Sequence, residues 1–305
     1  MSALVELLRA RGARRSRRPH GDGANVALAV EGGAMRGVIS AGMVSALEEL
    51  GLTDAFDAVY GSSAGAINAA YFLAGQARLG TTIYYEDINN ARFISLLRVL
   101  GGRPIVNLGF LLDEIACRRK PLDVARVFAA ASPLHVLATD VDTQMAVMFD
   151  GFGDAADLLA ALRASATMPI VAGGPAVYRG RRLLDASLTE PIPLAAAESG
   201  GHSHVLVLRT RGGEMRARPS AFDRHFVGPR LRRLSPALAE RYLDRAKPYA
   251  EIVRSIDAGR SPRGQAEVHA ISVSGLHISK LERDARRLRD AAARGRQAVF
   301  EAFDK

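Results

Sequence analysis

The feature that most constrains this chain is a continuous apolar run that passes directly into a glycine-rich turn and then into a helix. Residues Val26–Val30 are all apolar, which is typical of a strand buried on both faces of a parallel sheet. A glycine-rich loop follows at 32–37. Apolar residues then recur at helical spacing from Ile39 to Leu50, and Gly51 ends the predicted helix.

The same order is repeated immediately afterwards. A short strand at about 56–60 leads into the turn Gly61-Ser62-Ser63-Ala64-Gly65, and the apolar residues between Ile67 and Ala74 predict a second helix. Two successive strand–turn–helix units favour an α/β fold with a parallel sheet.

Shifts in composition divide the chain into stretches. Residues 1–23 are rich in Arg and Gly and are predicted to be a flexible lead-in. Residues 24–212 form the predicted main domain, in which 81–131 is a helical, apolar and irregular insert that could serve as a lid or wall. Residues 213–305 are predicted to be a basic, mainly helical extension packed on the same domain. Further strands are predicted at 134–139, 145–149, 176–178, 182–184 and 205–208, the last being the final strand of the sheet, with a strand-like patch at 267–273.

Composition excludes several classes of protein. Hydrophobic residues make up 48% of the chain, which is typical of a globular protein and excludes general disorder. The single cysteine, Cys117, excludes both a disulfide framework and a cysteine zinc cluster. No apolar run approaches the roughly 18 residues of a membrane-spanning helix, and the first ten residues lack the apolar core of a secretory signal. A cytoplasmic protein is therefore expected.

The net charge of +9 is carried almost entirely by arginine, which accounts for 37 of the 41 basic residues. Six arginines lie between Arg9 and Arg18, and eight lie between Arg209 and Arg233. A basic surface favours phosphate-bearing partners such as nucleic acid or anionic lipid. A compositional bias towards arginine explains the same count, and the charge alone does not decide between these interpretations.

The pentapeptide Gly61-x-Ser63-x-Gly65 is a candidate nucleophile turn. A serine nucleophile needs its oxygen exposed on a sharp turn, and small flanking residues relieve the crowding of that turn. The strand before it and the helix after it supply this setting. The helix N-terminus also offers free N–H groups to developing negative charge.

Two further elements complete a candidate site for acyl transfer. The loop containing Gly32, Gly33 and Ala34 can direct backbone N–H groups at an oxyanion, since it is glycine-rich and begins a helix. A dinucleotide fingerprint would require glycine where this chain has Ala34, so a nucleotide loop is a poor match. Asp185 follows an apolar strand and is placed to act as a base for the serine, or to orient a histidine that does so.

In combination these motifs resemble the patatin-like phospholipase family, and within it the bacterial branch that has Glu31 before the glycine loop. The resemblance spans about 26–210 and is carried by ordered motifs at 29–37, 41–42, 60–69, 138–143, 162–166, 168–169, 184–185 and 191–193. It implies a three-layer α/β/α sandwich with a mostly parallel central sheet.

The resemblance also implies a lipolytic serine hydrolase that cleaves carboxylic esters of phospholipids or related acyl lipids. Ser63 would be the nucleophile and Asp185 its base, without a histidine. The oxyanion hole would lie at Gly32, Gly33 and Ala34, with Arg36 and Gly37 supporting the loop and Gly61 and Gly65 forming the nucleophile elbow. No cofactor and no metal is expected, since Asp140 and Asp142 alone are a weak cation site.

Two positions depart from the family pattern. Ala34 replaces the third loop glycine, and Ala186 and Ser187 follow Asp185 where the family has Gly and Gly or Ala. A Cβ at position 34 or 186 would shift the loop if the site required positive φ. The alternative function is therefore a patatin-fold module with weak or no turnover that binds anionic lipid. The motifs make nucleic acid an unlikely partner and favour peripheral contact with an anionic membrane surface.

Overall fold

The computed structural model describes residues 2–14, 20–212 and 219–304, and within them the chain forms one eight-stranded sheet. The strand order is β5-β6-β3-β2-β1-β7-β8, and β4 also pairs with β3. These strands are β1 (Val26–Val30), β2 (Ala58–Ser62), β3 (Leu134–Asp140), β4 (Ala146–Phe149), β5 (Ala176–Tyr178), β6 (Arg181–Leu184), β7 (His204–Leu208) and β8 (Glu267–Ile271).

The sheet is mostly parallel. Strands β1, β2, β3, β7 and β8 run parallel to their neighbours in that set, whereas β4, β5 and β6 pair antiparallel at one side. The predicted α/β class with a mostly parallel central sheet is confirmed.

Eleven α-helices surround the sheet in the described part of the chain. They are α1 (Ala3–Arg14), α2 (Val38–Glu49), α3 (Ala64–Leu73), α4 (Ala77–Glu86), α5 (Val124–Ala129), α6 (Ala155–Ser165), α7 (Leu194–Ser199), α8 (Gly228–Leu234), α9 (Pro236–Leu243), α10 (Ala246–Asp257) and α11 (Ala285–Asp304). Short 3-10 segments lie at Thr53–Ala55, Ala34–Gly37, Leu96–Gly101 and Ala186–Leu188, and π-helical segments at Phe110–Arg119 and Asp223–Val227.

The alternating direction of the side chains along β1 explains why helices cover both faces of the sheet. Val26, Leu28 and Val30 share one apolar core with residues of α2, α3 and α11. Ala27 and Ala29 point to the other face and share a second core with residues of α7 and α10. Because both faces of the strand are covered, all five residues are buried, and the molecule has the predicted three layers of helix, sheet and helix.

The prediction of a flexible lead-in over 1–23 is wrong for residues 3–14, which form α1. Leu4, Val5 and Leu8 are buried against the sheet's main core. Arg11 is also buried, and it pairs with Asp22 at 2.7 Å and with Asp57 at 2.8 Å. The helix is thus held by apolar contact on one face and by a buried, paired arginine. The side chain of Arg14 and residues 15–19, which include three further arginines of that cluster, lie outside the described residues.

The segment after β7 is part of the sheet and not only a layer outside it. Strand β8 pairs in parallel with β7. The prediction that 205–208 is the final strand of the sheet is therefore wrong. Helix α11 packs tightly on α2, since a Cβ at Gly42 would lie 2.2 Å from the Ala292 carbonyl oxygen. The prediction of a main domain ending at 212 therefore excluded one of its strands. Residues 213–218 lie outside the described residues.

None of the described helices combines the length and the apolarity that crossing a membrane requires.

Candidate active site

Ser63 occupies a strained turn between β2 and α3. Its φ of 56° and ψ of −127° lie in a region that L-residues seldom adopt, and this conformation places the residue at the N-terminus of α3. The Ser63 N–H donates to Ser165 Oγ at 2.8 Å, which fixes the turn against the end of α6. The sequence motif 162–166 included Ser165 without giving it a role.

Close backbone contacts explain the glycines that flank Ser63. A Cβ at Gly61 would lie 2.3 Å from the Cα of Ala66, and a Cβ at Gly65 would lie 2.2 Å from the carbonyl oxygen of Val30. Real Cβ atoms do not approach backbone so closely, so both positions require glycine for this turn. The structure thus gives Gly61 and Gly65 the place that the motif predicted.

Asp185 faces Ser63 from the end of β6. Ser63 Oγ donates to Asp185 Oδ2 at 2.7 Å, and Asp185 Oδ1 accepts the N–H of Ser187 at 2.8 Å. The backbone is held on both sides, since the Asp185 N–H donates to the Thr167 carbonyl and Thr139 Oγ1 donates to the Asp185 carbonyl. One carboxylate oxygen is therefore fixed by the turn while the other is directed at the serine hydroxyl.

The glycine loop lies directly on the serine turn. A Cβ at Gly32 would lie 2.3 Å from the Ser62 carbonyl oxygen and 2.9 Å from Ser63 Cβ. In the described part of the chain the N–H groups of Gly32, Gly33 and Ala34 donate to no protein acceptor.

The two alanines that depart from the family pattern behave differently. Ala34 has a φ of 52°, so its Cβ is carried in the left-handed region at a cost of about 1 kcal/mol, and the loop conformation is still formed. Ala186 is buried, and its φ is not positive. It begins the short 3-10 turn whose next N–H, that of Ser187, bonds Asp185.

Glu31 ties the glycine loop to the C-terminal half of the chain. Its carboxylate is buried and accepts the Thr210 N–H at 2.6 Å and the Tyr249 hydroxyl at 2.9 Å. Thr210 Oγ1 in turn donates to the Gly32 carbonyl at 2.8 Å. Burial and the nearby Glu31 carboxylate raise the pKa of Tyr249. The Glu31 carboxylate thereby connects the glycine loop to the end of β7 and to α10.

Arg36 and Gly37 form the other end of the loop. The Gly37 carbonyl accepts Asn68 Nδ2 at 2.9 Å, and a Cβ at Gly37 would lie 2.7 Å from the Tyr84 hydroxyl. The Arg36 N–H donates to the Gly33 carbonyl, which closes the turn. Burial and the charge of Arg211 lower the pKa of Arg36 to about 10.

A cavity of about 360 Å³ opens onto Ser63 and Asp185. One part of its lining is apolar and comes largely from the insert predicted at 81–131. This part includes Ile83, Tyr84, Ile88, Phe93, Ile105, Val106, Leu108 and Leu111. Another part is charged and comes from the glycine loop and the C-terminal half: Arg36, Arg211, Asp223, Arg245 and Lys280.

Among the described residues no histidine lines this cavity. His202, which follows Asp185 in the chain, forms hydrogen bonds with Tyr60 and Asn25. Asp140 accepts the backbone N–H groups of Asp142 and Thr143 and pairs with Arg181, so it caps a turn. No cluster of three or more His, Cys, Asp or Glu side chains in the described ranges is placed to hold a metal ion.

The family model of the patatin-like phospholipases matches residues 28–198, which is more than half of the chain. The protein therefore belongs to the patatin-like phospholipase family.

Two individual proteins are also similar to this chain. The uncharacterized protein YjjU of Escherichia coli (strain K12) is 27% identical over 202 residues, which cover 65% of this chain and 56% of YjjU. This chain thus spans just over half the length of that relative. The crystal structure of VipD from Legionella pneumophila aligns with 92% of this chain and 66% of VipD, at 11% identity and a TM-score of 0.41.

Proposed function

We propose that this protein is a lipolytic serine acyl hydrolase in which Ser63 and Asp185 form a catalytic dyad. The observation that carries the proposal is the 2.7 Å hydrogen bond from Ser63 Oγ to Asp185 Oδ2 beside a loop of free N–H donors. Membership of the patatin-like phospholipase family supports the reaction class.

The reaction follows from this geometry. Ser63 Oγ attacks the ester carbonyl carbon as its proton passes to Asp185 Oδ2. The N–H groups of Gly32, Gly33 and Ala34 stabilise the negative oxygen of the tetrahedral intermediate. Asp185 then returns the proton to the departing alcohol, leaving an acyl-Ser63 ester, and the same carboxylate activates the water that hydrolyses it.

An active-site-directed fluorophosphonate tests the nucleophile. The probe should label the wild-type protein and not Ser63→Ala, since only an activated serine reacts with it. Ser62→Ala is the matched control, because Ser62 Oγ donates to the Glu190 carbonyl and does not contact Asp185. Labelling that persists in Ser63→Ala, or is absent from wild type, would refute the proposal.

The competing function is an inert module that binds anionic lipid. Its basis was the presence of Ala34 and Ala186, and the structure favours turnover because the loop and the Asp185 turn form with both alanines in place. Hydrolysis of a panel of acyl lipids by wild type beside Ser63→Ala distinguishes the two. A folded wild-type protein that cleaves no ester would favour the module.

We propose further that the protein docks on an anionic lipid surface through the turn Leu96–Gly101. Leu96, Leu97 and Leu100 are 64%, 76% and 87% exposed. The residues on either side of the turn pair with each other through Ile94 and Val106, and Val106 lines the cavity. Exposed Arg103 follows it and supplies charge complementary to anionic lipid, whereas Arg92, on the other side, is paired with Glu114 at 2.7 Å.

A second apolar group lies at the same cavity. Phe222 lines the cavity and stacks on Phe226 with ring centroids 5.4 Å apart, and both rings are exposed. Arg11 and Arg209 are buried and take no part in such a surface.

Replacing Leu97 and Leu100 together by Ser should weaken binding to vesicles that contain phosphatidylglycerol by about 100-fold, since each buried leucine contributes about 1.5 kcal/mol and about 1.4 kcal/mol is a factor of ten. Co-sedimentation measures this. Val177→Ser is the control, because Val177 is as exposed as Leu97 but lies on β5 and not in this turn. Binding that is unchanged in the double variant, or that is as strong on neutral vesicles, would contradict the proposal.

A further inference from the structure

We infer that Arg36 and Lys280 form a binding site for the phosphate group of an anionic acyl ester, and that this site makes the protein prefer anionic esters to neutral ones. The inference deepens the proposed function and depends on Ser63 as the nucleophile. It assigns a specificity role to a residue outside the region that the family model matches.

Backbone contacts bring the two cations to the same loop. The Met35 N–H donates to the Lys280 carbonyl at 3.3 Å, which fixes the segment at 279–281 on the glycine loop. Gly33 leaves room for the Arg36 guanidinium, since a Cβ there would lie 3.2 Å from both Nε and Nη2. Both side chains line the cavity that contains Ser63 and Asp185.

These two cations lack the acidic partners that their neighbours have. Arg245 pairs with Asp223 at 2.8 Å, and Arg211 Nε lies 4.0 Å from Glu31 Oε1 while its guanidinium covers the Tyr249 ring. In the described ranges neither Arg36 nor Lys280 forms an ion pair with a carboxylate, and the one hydrogen bond of the Arg36 side chain is to Thr210 Oγ1 at 3.5 Å.

The proximity of several positive charges favours the binding of an anion between Arg36 and Lys280. Desolvation, together with the charges of Arg36 and Arg211, lowers the pKa of Lys280 to about 8, although Asp185 acts in the opposite direction and Arg245 adds to the repulsion. Lys280 is exposed and lines the cavity, so a ligand can reach it. A phosphate between the two side chains would relieve the repulsion and form charge-assisted hydrogen bonds with both.

The remaining lining indicates what else the ligand carries. The insert residues Phe93, Ile105 and Leu111 offer an apolar surface, whereas the glycine loop and the segment at 279–281 offer the cations. Ser63 lies in the same cavity as both. A ligand that uses all three is an amphiphile with an acyl ester and a phosphate, which is the chemistry of a phosphate-bearing glycerolipid.

The test compares two esters with the same acyl chain in neutral detergent micelles, lysophosphatidylglycerol and monoacylglycerol. We expect the wild-type kcat/KM to be about tenfold higher for the anionic ester, and we expect Lys280→Gln to remove most of that ratio. Lys280→Arg should retain it. Lys247→Gln is the matched control, since Lys247 is exposed, pairs with Asp244 and lies outside the cavity. A wild-type ratio near one, or a ratio unchanged in Lys280→Gln, would overturn the inference.

The ratio of kcat/KM for the two esters can also be measured as a function of pH. A purely structural role of Lys280 would not make this ratio depend on pH. Lys280 is charged below its pKa and neutral above it, so the wild-type preference should fall as pH rises through about 8 and should stay level in Lys280→Arg. The phosphodiester charge is constant in this range, and pH effects on Ser63 and Asp185 are common to both esters. A wild-type ratio that does not change with pH contradicts the role of Lys280.

Binding of dodecyl phosphate by calorimetry separates this inference from the proposed hydrolysis, because the ligand cannot be cleaved as an ester. Wild type should bind it about tenfold more tightly than Lys280→Gln, even if no ester is hydrolysed. Inorganic phosphate alone should bind much more weakly than the alkyl phosphate. If it binds equally well, the cations hold a free phosphate and the inference is wrong.

Discussion

Asp185→Asn should lower kcat/KM for ester hydrolysis by about 10³- to 10⁴-fold while leaving the protein folded. The asparagine oxygen can still accept the Ser187 N–H, so the turn after β6 is retained. Its amide group, however, would donate to Ser63 Oγ where Asp185 Oδ2 now accepts, and an amide cannot take up the serine proton. The rate of fluorophosphonate labelling should fall in parallel.

Seven single histidine variants provide the contrast to Asp185→Asn. The chain has seven histidines, and none of those in the described ranges lines the cavity. Each replacement by Gln should keep kcat/KM within about threefold of wild type, provided that far-UV circular dichroism shows a native fold. One folded histidine variant with a loss comparable to that of Asp185→Asn would show that the base is a histidine and would exclude the dyad.

Gly65→Ala should cost both stability and activity, because the new Cβ would lie 2.2 Å from the Val30 carbonyl oxygen and 2.9 Å from the Glu31 carbonyl carbon. Backbone cannot yield as a side chain can, so β1 and α3 must separate at the point where the glycine loop begins. We expect the free energy of unfolding to fall by about 3 kcal/mol. A shift of the loop by about 1 Å should lower kcat/KM by about 100-fold.

Gly101→Ala is the control for this change, since a Cβ at Gly101 meets nothing within 4 Å and its φ is not positive. Urea unfolding followed by circular dichroism gives the stability of each variant, and the labelling rate per folded molecule gives the state of the site. If Gly65→Ala matches Gly101→Ala in both measurements, the close packing of α3 on β1 does not maintain the site.

The sequence was sufficient to predict the strands and turns that carry the candidate site, because their signals are local. β1 is continuously apolar, and the turns at 32–37 and 61–65 contain glycines that the structure needs for backbone contact. The apposition of Ser63 and Asp185 is not local. The residues alone left open whether Asp185 acts on Ser63 directly or through a histidine, and only the resemblance to a family implied the direct pair.

What the sequence did not reveal depends on contacts between distant residues. Helix α1 has its large apolar residues only between Leu4 and Leu8, and its buried Arg11 is explained only by Asp22 and Asp57, which the fold brings together. Nothing in the sequence around Lys280 indicates a site, since its place at the cavity depends on the hydrogen bond from Met35. The role of Glu31 likewise requires Tyr249 from α10.

The close packing of α11 on α2 has a consequence for biosynthesis. A ribosome adds about 5 to 20 residues per second, so Ser63 and the glycine loop emerge well before the segment at 279–281 and α11. Until those later residues exist, Met35 lacks its acceptor and α2, which begins where the glycine loop ends, lacks the helix that covers it. In the nascent chain Ser63 therefore lies beside an incomplete cavity. The cavity is complete only once residue 304 has been synthesised.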